Sequence, residues 1–170
     1  VNIQHSSRSD QWFTPQDIVE RARAVLGGID LDPASCALAN RTVRAADYIT
    51  VEQDGLTLPW HGRVFLNPPG GKTGNKSNTA LWWSKLLTEY ADCRVQAAVF
   101  LAFSLEAMQT TQGCRLSIVD FPFCVPRRRI SFVSPDGKTN SPSHGNVIVG
   151  VGVSRVLFRD HFVSLGAIRL

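Results

Sequence analysis

Apolar residues recur with a helical period between Thr14 and Leu26, where Ile18, Val19, Ala22, Val25 and Leu26 form one stripe. Thr14 is placed to cap this helix, Pro15 suits its first position, and Asp17 sits where a capping-box acid would sit. Gly27 and Gly28 end it. The pattern then changes. Ile29 to Asp32 reads as a short buried strand broken by Pro33, and Ala34 to Asn40 as one or two helical turns. Arg63 to Leu66 is a second strand, ended by Asn67-Pro68-Pro69. Gly70 to Ser77 is rich in Gly, Lys and Asn and reads as a loop. Asn78 is placed to cap the next helix, which carries Leu81, Trp82, Lys85, Leu86, Glu89 and Tyr90. Val95 to Phe103 is a continuous apolar run, as expected of a central parallel strand. Ser104 to Thr111 reads as a short helix, and Leu116 to Asp120, Ile130 to Val133 and Val147 to Val153 read as strands. Ser134 to Asn146 is a polar loop, and Arg159 to Leu165 a last short helix. Residues 1 to 11 are polar and read as a loose segment.

Strand and helix alternate over the first two-thirds, which predicts an α/β fold: a mostly parallel sheet with helices on its faces. The strand-rich end predicts that the sheet finishes in an antiparallel pair. The length of 170 residues and the absence of a linker or repeat predict one domain over 1–170. Hydrophobic residues make up 44%, enough for a core. Apolar stretches such as Ala97 to Phe103 are far shorter than a membrane span, and no secretory signal is visible. A cytoplasmic protein with no membrane partner is expected. The net charge of +4 tolerates a polyanionic partner without demanding one. Cys36, Cys93, Cys114 and Cys124 form no C-x-x-C pair, so reduced thiols and no metal site are expected.

The chemistry concentrates at Phe65-Leu66-Asn67-Pro68-Pro69, where a strand runs into a rigid polar turn. Ligands of open parallel sheets bind beyond the carboxyl ends of strands. Asn67 offers an amide oxygen, and Pro68, lacking an N–H, leaves the turn presenting carbonyl oxygens. Two acceptors aimed at one spot suit an amino group with two hydrogens to donate. They would hold the amine and draw off positive charge as its nitrogen is alkylated, with no Brønsted base required.

The neighbouring segments resemble those of the phage and prophage DNA adenine-N6 methyltransferases. Asp10-Gln11-Trp12-Phe13-Thr14-Pro15 is similar to that family's aromatic-Thr-Pro motif. Gly27-Gly28-Ile29-Asp30-Leu31-Asp32-Pro33-Ala34-Ser35 is similar to its Asp-Pro-Ala-Ser signature. Asp54-Gly55-Leu56, Pro59-Trp60-His61-Gly62-Arg63-Val64-Phe65 and Asn67-Pro68-Pro69 follow in the family's order, and Trp82-Trp83 and Arg129-Ile130-Ser131-Phe132 also fit. The resemblance covers roughly residues 10 to 153. It implies a Rossmann-like methyltransferase fold, S-adenosylmethionine as cofactor, and N6 of an extruded adenine in double-stranded DNA as target. By resemblance Asn67, Pro68 and Pro69 form the amine-binding turn. Thr14 and Pro15 border the methionine end of the cofactor, Asp32 and Pro33 lie beside it, and Asp54 accepts from its adenine amine. Asp30 competes with Asp32 for that place, on the expectation that strand alternation turns only one of them to the site. No Gly-rich loop follows the first strand, and Gly70 stands where the family usually has an aromatic residue. Trp12, Phe13, Trp82 and Trp83 are the alternative stacking surfaces.

Gly70-Gly71-Lys72-Thr73-Gly74-Asn75-Lys76-Ser77 nearly matches a phosphate-binding loop, with Asn75 where Gly is expected. A basic loop bringing Gly70, Lys72 and Lys76 to DNA phosphates is the preferred reading. Arg127, Arg128 and Arg129 and the Ser134–Asn146 loop are the other candidate DNA-binding groups. A cytosine-N4, other amine or amide methyltransferase would use the same acceptors, and an inactive DNA-binding module would keep the fold alone. So small a domain has little room for a separate recognition unit. A monomer or homodimer of modest sequence specificity is expected.

Overall fold

Seven short strands carry the architecture. The computed structural model describes residues 12–108, 115–140 and 144–170. In chain order the elements are α1 (Gln16–Leu26), β1 (Leu31–Asp32), α2 (Ala37–Val43), β2 (Asp47–Tyr48), β3 (Gly62–Leu66), β4 (Lys72–Thr73), β5 (Lys76–Ser77), α3 (Asn78–Ala91) and β6 (Val95–Ala102). Then come β7 (Phe123–Pro126), β8 (Phe132–Val133), β9 (Thr139–Asn140), β10 (Val147–Val151), α4 (Arg155–Phe162) and β11 (Gly166–Arg169). Leu105–Met108 and Arg115–Asp120 are 3-10 turns.

The main sheet has the order β11-β7-β10-β6-β3-β1-β2. β2, β1, β3 and β6 run parallel, and β10, β7 and β11 are antiparallel to their neighbours. The α/β expectation therefore holds, with an antiparallel end of three strands. The chain steps from β1 outward to β2 and then crosses back to β3 on the other side of β1. That reversal opens a crevice between β1 and β3 at their carboxyl ends.

Alternation along the strands splits the core in two. Val64, Leu66, Ala98, Phe100, Val147 and Val149 pack under α3 with Trp60, Trp82 and Trp83. Phe65, Val99, Leu101 and Ile148 pack under α1 and α4 with Ile18, Val19, Ala22, Phe158 and Phe162. The apolar stripe read on α1 is the face it buries.

Several sequence expectations need correction. Leu116 to Asp120 is not a strand but lies in a 3-10 turn, because an alternation of five residues fits either and Ile118 alone of Ser117–Asp120 is fully buried. The strand of this region is β7, hidden by Pro122 and Pro126 at its ends. Ile130–Val133 supplies only β8, which pairs with β9 in a separate hairpin and not with the main sheet. The last helix is α4, capped by Ser154, and residues 166–169 are strand β11. Pro15, not Thr14, is the N-cap of α1, and Thr14 is buried. Gly27 ends α1 in the left-handed conformation, as its sequence position predicts. Ser77 takes the N-cap of α3, while Asn78 lies inside the helix and ties it to the preceding hairpin. The first of the short helices starts at Ala37, with Cys36 as cap. Residues 1–11, 109–114 (Cys114 among them) and 141–143 lie outside the described residues.

Gly55 fixes the floor of the crevice. A Cβ there would fall 2.1 Å from the Pro33 carbonyl oxygen and 2.8 Å from the Trp82 ring. Its own carbonyl accepts from Trp60 Nε1 at 2.7 Å, and Trp60 stacks on Trp82. Gly55→Ala is expected to cost about 1–3 kcal/mol through overpacking. A thermal melt should show the midpoint falling by about 2–12 °C; an unchanged melt would mean that this loop gives way freely.

Candidate active site

The carboxyl ends of β1 and β3 bring two of the predicted segments together. Leu31 is in register with Val64, so Asp32 is level with Phe65, and Asn67-Pro68 leaves the same edge of the sheet two residues farther along. Asp32 is 3% exposed and accepts from the Ala34 N–H at 3.2 Å. Burial pushes its carboxyl up to about 6, against the opposing pull of the Ser35 side chain and the Ala34 N–H. Ser35 lies close enough to favour the carboxylate, yet its buried hydroxyl completes no hydrogen bond. A carboxyl with little solvent and a buried hydroxyl thus sit together where β1 leaves the sheet.

Asp30 is not a second candidate. Residues two apart on a strand share a face, so alternation does not separate Asp30 from Asp32, contrary to the expectation drawn from the sequence. Position along the strand does. Asp30 lies before β1, at the amino edge, where Arg63 grips it through Nε at 2.8 Å and a second guanidinium nitrogen at 2.7 Å. The hydrogen bonds from Arg63 hold the Asp30 carboxyl down to about 2. Asp30 is a structural anchor between the start of β3 and the end of α1.

Asn67 is half-buried, and Pro68 is buried while Pro69 is exposed. The Asn67 Nδ2 donates to the Trp12 carbonyl at 3.2 Å. That bond turns Oδ1 away as an acceptor. The neighbouring Phe13 makes a two-way backbone bridge with Val133, at 2.8 and 3.0 Å. The segment before α1 is thus stitched to β8 and rests against the Asn67 turn. Thr14 and Pro15 follow directly. This link from residue 12 to residue 67 leaves no trace in the sequence; only the aromatic-Thr-Pro pattern marks the segment.

Asp54 lies in the loop after β2 with a positive φ of 58°. Its Oδ1 accepts from the Leu56 N–H at 3.0 Å, and its carbonyl accepts from the N–H groups of Thr57 and Leu58. It shapes the turn that sets Gly55 against Pro33, and its carboxylate stays exposed.

Gly70 to Ser77 is a hairpin rather than the open loop or phosphate-binding loop suggested by its composition. Lys72 pairs with Ser77 and Thr73 with Lys76. Strand pairing uses the backbone groups that a phosphate cradle would need free. Lys72 and Lys76 are exposed on it, just beyond the Asn67 turn, and Gly70 is exposed at its base.

Arg127, Arg128 and Arg129 follow β7, whose carboxyl end lies on the same edge of the sheet as Asn67 and Asp32. With Arg21, Pro15, Ser131 and Ser164 they line a groove of about 520 Å³. Arg21 carries no motif that would mark it in the sequence; it enters because its guanidinium holds Ser164 at 2.9 Å. Trp82 and Trp83 are 6% and 2% exposed, which removes both as stacking surfaces. Cys36, Cys93 and Cys124 are free thiols, and no metal-binding group of His, Cys, Asp or Glu occurs among the described residues. No helix among them is long and apolar enough to cross a membrane.

A parallel sheet with a reversal beside an Asn-Pro-Pro turn, closed by antiparallel strands, defines a Rossmann-like methyltransferase. The family model described as DNA N-6-adenine-methyltransferase (Dam) matches residues 2–160, and the chain belongs to that family. The match is wider than the 10–153 read from motifs. Its reaction is methylation of adenine N6 in DNA. No curated protein and no solved structure gives a significant match.

Proposed function

We propose that the crevice between β1 and β3 is where this chain methylates adenine, with Asn67 and the Pro68 carbonyl holding the N6 amine and Asp32 holding S-adenosylmethionine. The observation that carries this reading is that the Asp32 and Asn67 segments leave adjacent parallel strands at the same edge, where the sheet reverses, with Asn67 two residues beyond the position level with Asp32. Membership of a methyltransferase family implies the cofactor, and the buried Asp32 carboxylate and Ser35 hydroxyl fit its donors and acceptors. Thr14, Pro15, Pro33 and Asp54 complete the pocket on this reading. When bound, S-adenosylmethionine supplies the methyl group.

The rest falls to the protein. Asn67 Oδ1 and the Pro68 carbonyl accept the two N6 hydrogens and fix the direction of the nitrogen lone pair. Both oxygens lie where positive charge develops on nitrogen, and fixed dipoles there lower the barrier without reorganising. Pro69 keeps the turn rigid. One N6 proton would leave to water once the new N–C bond has replaced the methyl–sulfur bond, whose electron pair stays on sulfur.

Double-stranded DNA lies across the carboxyl edge of the sheet, with Lys72 and Lys76 on one side of the turn and Arg127 to Arg129 on the other. Gly70, at the hairpin base, leaves room for the approaching strand. The protein acts as a monomer or homodimer in the cytoplasm of a bacterium or phage-infected cell. The deciding experiment combines calorimetry of S-adenosylmethionine with nucleoside analysis of treated DNA. Cofactor binding and N6-methyladenine are expected. Cofactor binding with N4-methylcytosine instead would redirect the reading to the cytosine amine, and no cofactor binding would sink it. The double variant Arg127→Ala/Arg128→Ala is expected to flatten the salt dependence of DNA affinity, by about 1 in slope for each phosphate no longer neutralised. Its kcat at saturating DNA should be unchanged; a fall in kcat with the slope intact would place these arginines elsewhere.

A further inference from the structure

We infer that Trp12 is the ring on which the extruded adenine stacks, an inference that rests on Asn67 being the amine acceptor. A base taken out of the duplex is held by hydrogen bonds at its edge and by an aromatic or apolar surface on its face. The Asn67 turn supplies the first. It does not supply the second, because Gly70 and Gly71 follow Pro69, and a Cβ at either would meet nothing within 4 Å. The space beside the turn is open and has no ring of its own.

The tryptophans, and the phenylalanines on or beside β3, β6 and β8, can be sorted by burial and packing. Of the four tryptophans in the chain, Trp60, Trp82 and Trp83 are 1%, 6% and 2% exposed and packed on other rings. Phe65 and Phe132 are each 1% exposed. Phe103, at the end of the neighbouring strand, is half-buried, but its ring packs on Phe132 at 5.8 Å. Phe13 is half-buried too, but its backbone bridges to Val133 on β8, whereas Trp12 is the residue bonded directly to Asn67. Trp12 is half-buried, and its carbonyl is the group that holds Asn67 Nδ2. Its side chain packs against the α1-face core, which limits its freedom. The residue that orients the acceptor amide is therefore also the large aromatic next to it. A single element sets the direction of the hydrogen bonds and the plane of the base.

The test compares Trp12→Ala, Trp12→Leu and Trp12→Phe in methyl transfer to unmethylated DNA, with Phe103→Leu and Asn67→Ala alongside. Thermal melts and calorimetry of S-adenosylmethionine accompany each variant. Loss of the stack is expected to lower kcat/KM by about 10- to 100-fold in Trp12→Ala. Trp12→Leu preserves apolar packing and should remain as impaired, whereas Trp12→Phe should return to within about 3-fold of wild type. Cofactor affinity should be unchanged in all three. Full activity in Trp12→Leu or Trp12→Ala overturns the proposal, as does a loss confined to Phe103→Leu. A silent Asn67→Ala would instead overturn the acceptor assignment, and with it this inference.

Discussion

Asn67→Ala is expected to cut kcat by about 100- to 1000-fold, the usual effect of deleting one preorganised dipole at a developing charge. The protein should otherwise be nearly intact. Asn67 lies beyond the end of β3 and is half-buried, so truncation opens no core cavity. Only its bond to the Trp12 carbonyl disappears, and that carbonyl can turn to water. Cofactor affinity by calorimetry should stay within about 2-fold, because Asp32 and Ser35 are untouched. Asn67→Asp is the informative companion. A carboxylate still accepts from an amine, but it cannot donate to Trp12 and would face that carbonyl as an anion against a dipole. It should therefore retain more activity than Asn67→Ala and less than wild type. Equal loss of kcat and of cofactor binding in Asn67→Ala would show that the turn supports the pocket rather than the amine.

The second large effect separates stability from function at Asp32. Asp32 titrates near 6 in the fold against an ordinary 3.8. The folded state thus holds a proton more tightly than the unfolded chain, and stability falls as pH rises through that window. Above pH 6 the buried carboxylate costs about 3 kcal/mol relative to its neutral form. Asp32→Asn keeps an acceptor for the Ala34 N–H and carries no charge. Its unfolding midpoint in urea should exceed that of wild type at pH 7.5, and the two should converge near pH 4. S-adenosylmethionine binding should weaken by about 10- to 100-fold through loss of charge-assisted hydrogen bonds. An Asn variant less stable than wild type at pH 7.5 would identify Asp32 as a structural residue. Burying a destabilising acid where a ligand can satisfy it is the usual signature of a site maintained for binding.

The parts of this molecule legible in its sequence are those where one residue type has one physical use. The apolar run of β6 could be little else than a central strand, and the stripe of α1 announced its buried face. Asn67-Pro68-Pro69 ends a strand, and the fold sets it just beyond β3 at the carboxyl edge of the parallel strands. The illegible parts depend on partners far away in the chain. β7 and β11 are four residues each, too short for a period to show. Lys72 to Ser77 has the composition of a loop, and its pairing into a hairpin is braced by the side chain of Asn78, which bonds Gly70 and Thr73. Asp30 and Asp32 are chemically alike, and what distinguishes them is Arg63, thirty-three positions beyond Asp30.

The position of β10 has a consequence for how the protein is made. Residues 147–151 lie inside the sheet, between β6 and β7, and all five are buried. A ribosome releases them after every parallel strand of the sheet. Until then the growing chain can assemble β2, β1, β3 and β6, but the flank of β6 stays open, with Val99, Phe100 and Leu101 beside unpaired backbone. An early stop codon before residue 147 therefore yields no smaller working enzyme. It yields a sticky half-sheet, so loss-of-function nonsense alleles of this chain should accumulate as aggregates rather than as soluble fragments.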